Sequence, residues 1–169
     1  MAQELAVKWH TFAAPEAEVE APDFCLTSST GDTICDRVYR GRAAQVLVFA
    51  SGDTLAEWTP LLAALSEHAE GFVRQGAVVL ALLPAAPEPI RSVGRDLAYH
   101  FPILADPGAQ VRREYERLLA GDTGTSHLVF VLSAQGTPYA AAINANPADP
   151  ALYDQVAEWL RLVAVQCPV

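Results

Sequence analysis

Apolar positions along the chain fall into two patterns, short continuous runs and longer stripes with helical spacing. Gln45–Ala50 (QVLVFA) and Ala77–Leu83 (AVVLALL) are continuous runs. Such runs suit strands buried on both faces of a parallel sheet. Between them, Leu55, Trp58, Leu61, Leu62, Leu65, Ala69, Phe72 and Val73 form one helical stripe, ended by Gly76. The start of this helix carries two competing signals. Thr54 with Glu57 fits a capping box. Thr59 followed by Pro60 fits a later cap with proline at the first helical position. An early start places Pro60 inside the helix, where a kink is expected.

The pattern continues downstream. Pro87–His100 reads as a helix and Phe101–Ala105 as a short extended link. Asp106, Pro107 and Gly108 open a helix predicted to reach about Leu119. Ala120–Thr125 is a loop. His127–Leu132 (HLVFVL) and Thr137–Ile143 are strands joined by the tight turn Ser133–Gly136, so they must run antiparallel. Asp149 caps a last helix that begins at Pro150, with Leu152, Val156, Trp159, Leu160 and Val163 on its apolar stripe. Upstream, DFCLTSSTGDTICD places two short runs around a Ser/Thr/Gly/Asp turn, a β-hairpin signal. Residues 1–20, ending in an acidic Ala- and Pro-rich stretch, read as an arm leading into one domain over 21–169.

Composition narrows the possible partners. About half of the 169 residues are apolar, the net charge is −9, and 11 Lys and Arg are spread without a dense patch. An acidic surface repels phosphate backbones, so nucleic acid is not expected as a partner. Arg112–Arg113 is a mere pair and reads as a solvated helix face. No run reaches the ~20 apolar residues of a membrane span, so no membrane partner is expected. The N-terminus lacks a basic start followed by an apolar block, and the expected location is the cytoplasm. Cys25, Cys35 and Cys167 make an odd set without a CxxC, which is no disulfide framework. His10, His68, His100 and His127 show no metal-ligand spacing, so neither metal nor cofactor is expected. Asp96, Asp106, Glu114 and Glu116 are spread over helices and suggest no close acid/base pair.

The order of elements is hairpin, βαβ, helix, β-hairpin, helix. Several segments accompany it: APDFCLTSSTGDTI, RGRAAQVLVFA, FPILADPGAQVRREY and LVFVLSAQG. Together they resemble the peroxiredoxin (AhpC/TSA) and thiol-disulfide oxidoreductase group, from about Ala21 to Leu162. The resemblance implies an α/β, thioredoxin-like fold, with a central mixed sheet flanked by helices and an N-terminal β-hairpin. It also implies thiol redox chemistry, and association through the active-site region as a possible homodimer.

At the positions that carry that chemistry, the residues differ. An ungapped mapping puts Ser51 at the family's proline, Leu55 at its threonine and Trp58 at the peroxidatic cysteine. Thr54 and Glu57 fall where thioredoxin-type members have CxxC. His127 falls at the active-site arginine, and no proline stands near Ser126–His127. Trp58 has no group that attacks peroxide and is expected to plug the vacated site. Thr54 and Glu57 read as a helix cap rather than catalysts. His127 reads either as a hydrogen-bonded strand-end histidine or as a group titrating beside the old pocket.

Cys25 and Cys35 lie on the two arms of the hairpin. A cross-strand bridge is geometrically open, but two independent thiols are expected in a reducing compartment. Cys167 reads as incidental. The expected function is a binding or regulatory module for a small molecule or a protein, without thiol peroxidase activity. The alternative is an antioxidant or thiol-disulfide oxidoreductase working through a relocated Cys25 or Cys35.

Overall fold

The computed structural model describes residues 7–12, 20–96, 101–119 and 126–166. Cys167, His100, the loop at 120–125 and most of the N-terminal arm lie outside the described residues. The predicted βαβ unit is present as β4 (Ala44–Phe49), α1 (Leu55–Arg74) and β5 (Ala77–Leu83), with β4 and β5 parallel. β7 (Leu128–Leu132) pairs antiparallel with both β4 and β8 (Pro138–Ile143). β4 is therefore covered on both edges, which explains its run of buried apolar residues.

Two strands join this sheet where none was predicted. β6 (Ile103–Ala105) pairs parallel with β5 and converts the expected link into an edge strand. β1 (Lys8–Thr11) pairs antiparallel with β8, so the N-terminal arm contributes to the sheet. Four residues are too few to show an alternation by themselves. Trp9 anchors this strand by packing on Trp159, with ring centroids 6.2 Å apart, and by donating its indole N–H to Gln155 Oε1. The sheet order is β1-β8-β7-β4-β5-β6, and β2 (Cys25–Thr27) with β3 (Thr33–Cys35) forms a separate two-stranded sheet.

The central sheet separates two apolar clusters. One face carries Val46, Val48, Trp58, Leu62, Val79 and Val129, with α1, α2 (Pro87–Asp96) and α4 (Pro150–Gln166) packed on it. The other carries Leu47, Phe49, Leu80 and Phe130, covered by the β2–β3 hairpin and α3 (Gln110–Glu116) through Phe24, Leu26, Ile34, Val111 and Tyr115. Helix α1 and the hairpin thus lie on opposite faces.

Three helix predictions are sharpened or corrected. The early start of α1 holds: Thr54 and Glu57 form a reciprocal capping box, and the helix runs on through Pro60 to Arg74. Thr59 is no cap; its hydroxyl donates to the Leu55 carbonyl at 2.7 Å. The late helix opens differently from expectation. Pro107–Ala109 is a 3₁₀ turn in which Gly108 and Ala109 have φ of 68° and 54°. That left-handed break delays α3 to Gln110, and Asp106 caps it from a distance, accepting from the N–H groups of Val111 and Arg112 at 3.1 Å each. Within α3, Arg112 does not face solvent: it is only 7% exposed.

The hairpin brings the largest correction. Cys25 and Cys35 are directly opposed and joined by a disulfide, not two independent thiols. The strand register is the reason, since a five-residue loop at 28–32 sets position 25 across from 35.

Candidate functional site

The site is built where β4 hands over to α1, beside the entry to β7. After Phe49 the chain turns through Ser51 and Gly52 before Thr54 caps the helix. Gly52 has φ of 95°, and a Cβ there would lie 2.3 Å from Glu57 Oε2. Only glycine allows the Glu57 carboxylate to fold back against this turn. Glu57 Oε2 accepts from the N–H groups of Asp53 (2.7 Å) and Thr54 (3.1 Å), while Glu57 N–H donates to Thr54 Oγ1 at 3.4 Å. The two backbone donors hold the Glu57 carboxyl below its ordinary pKa. A helix N-terminus attracts one negative charge, and here a side chain of the helix itself supplies it.

Trp58 follows directly. It is 2% exposed and packs into the α1-side core. Its indole N–H donates to the Gly52 carbonyl at 3.1 Å. The ring therefore closes the space under the turn and satisfies its one polar group there.

Across the turn, His127 Nδ1 accepts from the Ser51 N–H at 2.9 Å. That bond requires an unprotonated Nδ1, so the neutral ring carries its proton on Nε2. Burial holds the His127 pKa below its ordinary value, helped by the Arg112 charge and opposed by Glu57. Its lone pair on Nδ1 is spent on the backbone and is not placed to take a proton from a nucleophile.

Arg112, expected on a solvated helix face, belongs to the site instead; Val111, Arg112, Tyr115 and Leu119 share one helical stripe. Its guanidinium pairs with Glu116 at 3.0 Å and donates to the carbonyls of Phe49 and Ser126. Those carbonyls belong to the two segments that flank the site. Arg112 is thus a buried clamp that fixes the β4 exit against the β7 entry.

Ser51, Ser126, His127, Asn144, Asn146 and Pro147 line a surface hollow of about 300 Å³. The β8 exit is held there by Asn144 N–H to Ser126 Oγ (3.2 Å) and Ala145 N–H to His127 O (3.1 Å). Thr54, Glu57, Trp58 and His127 therefore gather around one turn. Cys25 and Cys35 do not join them, because their hairpin packs on the opposite face of the sheet.

A mixed sheet with consecutive parallel βαβ units, a late antiparallel pair and a turn-to-helix site defines a thioredoxin-like fold of peroxiredoxin type. Residues 17–138 match the family model for the AhpC/TSA family, and the chain belongs to that family. No curated protein matches the sequence. Among solved structures, the peroxidoxin BcpB of Mycobacterium tuberculosis superposes with a TM-score of 0.70 at 17% identity, over 86% of this chain and 96% of that one. The thioredoxin peroxidase I of Plasmodium yoelii gives 0.67 at 16% identity, over 88% and 89%. A putative thiol:disulfide interchange protein DsbE from Chlorobium tepidum gives 0.65 at 20% identity, over 83% and 95%. At these identities the likeness establishes the fold.

Proposed function

We propose that this AhpC/TSA-family chain has given up thiol peroxidase chemistry at the start of α1 and serves as a binding module. Its binding site is the hollow beside His127. The observation that carries the reading is Trp58, buried in the position where the family mapping puts the nucleophile and tied to the Gly52 carbonyl. Peroxide reduction needs a thiolate stabilised by a helix N-terminus. Here the Glu57 carboxylate takes that end of the helix, and a second anion beside it is disfavoured. A neutral imidazole, two serines and two asparagines suit an uncharged polar ligand, such as an amide-bearing small molecule or a peptide segment.

The alternative reading, a peroxidase acting through Cys25 or Cys35, requires a free activated thiolate. The bond between these two sulfurs withdraws both from that role in this state.

The test is hydrogen peroxide consumption with a dithiol reductant, compared with free cysteine at the same thiol concentration. The expected rate is no faster than free cysteine. A rate orders of magnitude faster, abolished in a Cys25→Ser/Cys35→Ser/Cys167→Ser variant, overturns the reading.

A further inference from the structure

We propose that the Cys25–Cys35 bridge is a reversible thiol–disulfide exchange site, opened by a dithiol while the hairpin keeps its shape. The inference is independent of the binding-module reading.

The bridge lies on the outer side of the hairpin. Phe24, Leu26 and Ile34 turn inward to the core. Cys25 alternates with Phe24 and Leu26 and is exposed, and Cys35 is half-buried. Cys25 is therefore the more exposed half of the bridge, on the side of the hairpin away from the core.

The hairpin does not depend on the bridge. Phe24 and Asp36 form a closed rung beside it: Phe24 N–H donates to Asp36 Oδ1 at 3.0 Å, and Asp36 N–H donates to the Phe24 carbonyl at 3.1 Å. Asp36 is 2% exposed and also pairs with Arg40 at 3.1 Å. Asp23 pairs with Arg37 at 2.8 Å, and Arg40 donates to the Ala21 carbonyl at 3.3 Å. At the other end, Ser28 N–H donates to the Asp32 carbonyl at 2.7 Å, and Ser29 N–H ties the loop to Ile103. With both ends fastened, the two thiols stay opposed after reduction and are poised to close again.

The exchange runs in two steps. A thiolate of the dithiol attacks Cys25 Sγ, the Cys25–Cys35 bond breaks, and Cys35 leaves as a thiolate that takes a proton. The second thiol of the reductant, deprotonated, attacks its own sulfur in the mixed disulfide and releases the Cys25 thiolate. Two electrons pass to the protein, and the reductant departs as a disulfide.

The test uses the full chain carrying Cys167→Ser, so that two sulfurs remain. The protein is equilibrated in mixtures of reduced and oxidised dithiothreitol, acid-quenched and alkylated, and weighed intact. Without denaturant, the expected result is reversible conversion between zero and two labels through one midpoint, with an unchanged far-UV circular dichroism spectrum. Peptide mapping of the unsubstituted chain should give the same midpoint at Cys25 and Cys35. Reduction only in denaturant, loss of the spectrum on reduction, or a pair that stays reduced in every mixture overturns the proposal.

Discussion

At the start of α1, the N–H groups of Asp53, Thr54 and Glu57 all go to side-chain oxygens of the same short segment. At the hairpin, on the opposite face of the sheet, two sulfurs stand bonded in a strand pair, with Cys35 at the start of a single 3₁₀ turn, Asp36–Val38. A thiol enzyme of this fold combines the two features: a cysteine and a helix N-terminus that lowers its pKa. Here they are apart. The helix start keeps its electrostatic device and fills it with Glu57. The hairpin holds the two sulfurs beside a single 3₁₀ turn, which aligns far fewer peptide dipoles than the 20-residue α1. The difference shows where each device sits: a carboxylate occupies the N-terminus of α1 and an indole fills the space under its turn, while the sulfurs lie across the sheet.

The strongest way to break this comparison is to remove the ring. Trp58→Ala deletes a fully buried indole, and such truncations cost about 3–5 kcal/mol. Urea denaturation should show a loss of that size at an unchanged m-value. A loss below about 1 kcal/mol would mean that the indole fills no space the fold depends on.

A smaller effect tests the hairpin. Asp36→Ala removes the buried carboxylate that accepts from Phe24 N–H and pairs with Arg40. Loss of a hydrogen bond to a charged group costs about 1.5–3 kcal/mol. The loss should be similar with the disulfide open or closed, measured by denaturation in either redox state. A loss seen only in the reduced protein would make the bridge, not the Phe24–Asp36 rung, the principal fastener. Thr54→Ala should cost less, about 1 kcal/mol, the usual value of a lost N-cap. It should leave the redox midpoint of the hairpin unchanged, which sharpens the separation of the two regions.

How much of this was legible in the sequence depended on length and on register. The strands around β4 stood out as continuous apolar runs, and the helices α1 and α4 because each repeats one period over many residues. The Thr54–Glu57 box was legible as chemistry at fixed spacing, although Thr59–Pro60 offered a rival start. β1 was hidden because its four residues gain meaning only from β8 and Trp159. The start of α3 was misplaced because Asp106–Pro107–Gly108 reads as a helix opening, whereas Gly108 and Ala109 are left-handed. Arg112 was read as a surface charge because its two backbone acceptors, Phe49 and Ser126, are remote in sequence. The disulfide turned on the hairpin register, and an argument from compartment outweighed a geometry that was already open.

The smallest effect belongs to His127, and it asks how the imidazole beside Ser51 titrates. The imidazole is neutral when Nδ1 accepts from Ser51, and burial and Arg112 lower its folded pKa. The unfolded chain therefore binds a proton first as pH falls. Stability from this group is full above the unfolded pKa of about 6.5. It declines as pH drops from there toward the folded value, and changes no further below it. His127→Gln keeps an acceptor for the Ser51 N–H and removes the titration. Melting temperatures of the two proteins should run parallel above neutrality and converge as the solution is acidified, since only the histidine protein loses this contribution. Every other ionisable group is common to the two proteins and cancels in the difference. A difference that stays flat through this range, or an imidazole whose NMR titration lies above that of the unfolded chain, would show that the charged form is favoured. Under the proposed function, the hollow would then suit anions rather than neutral ligands.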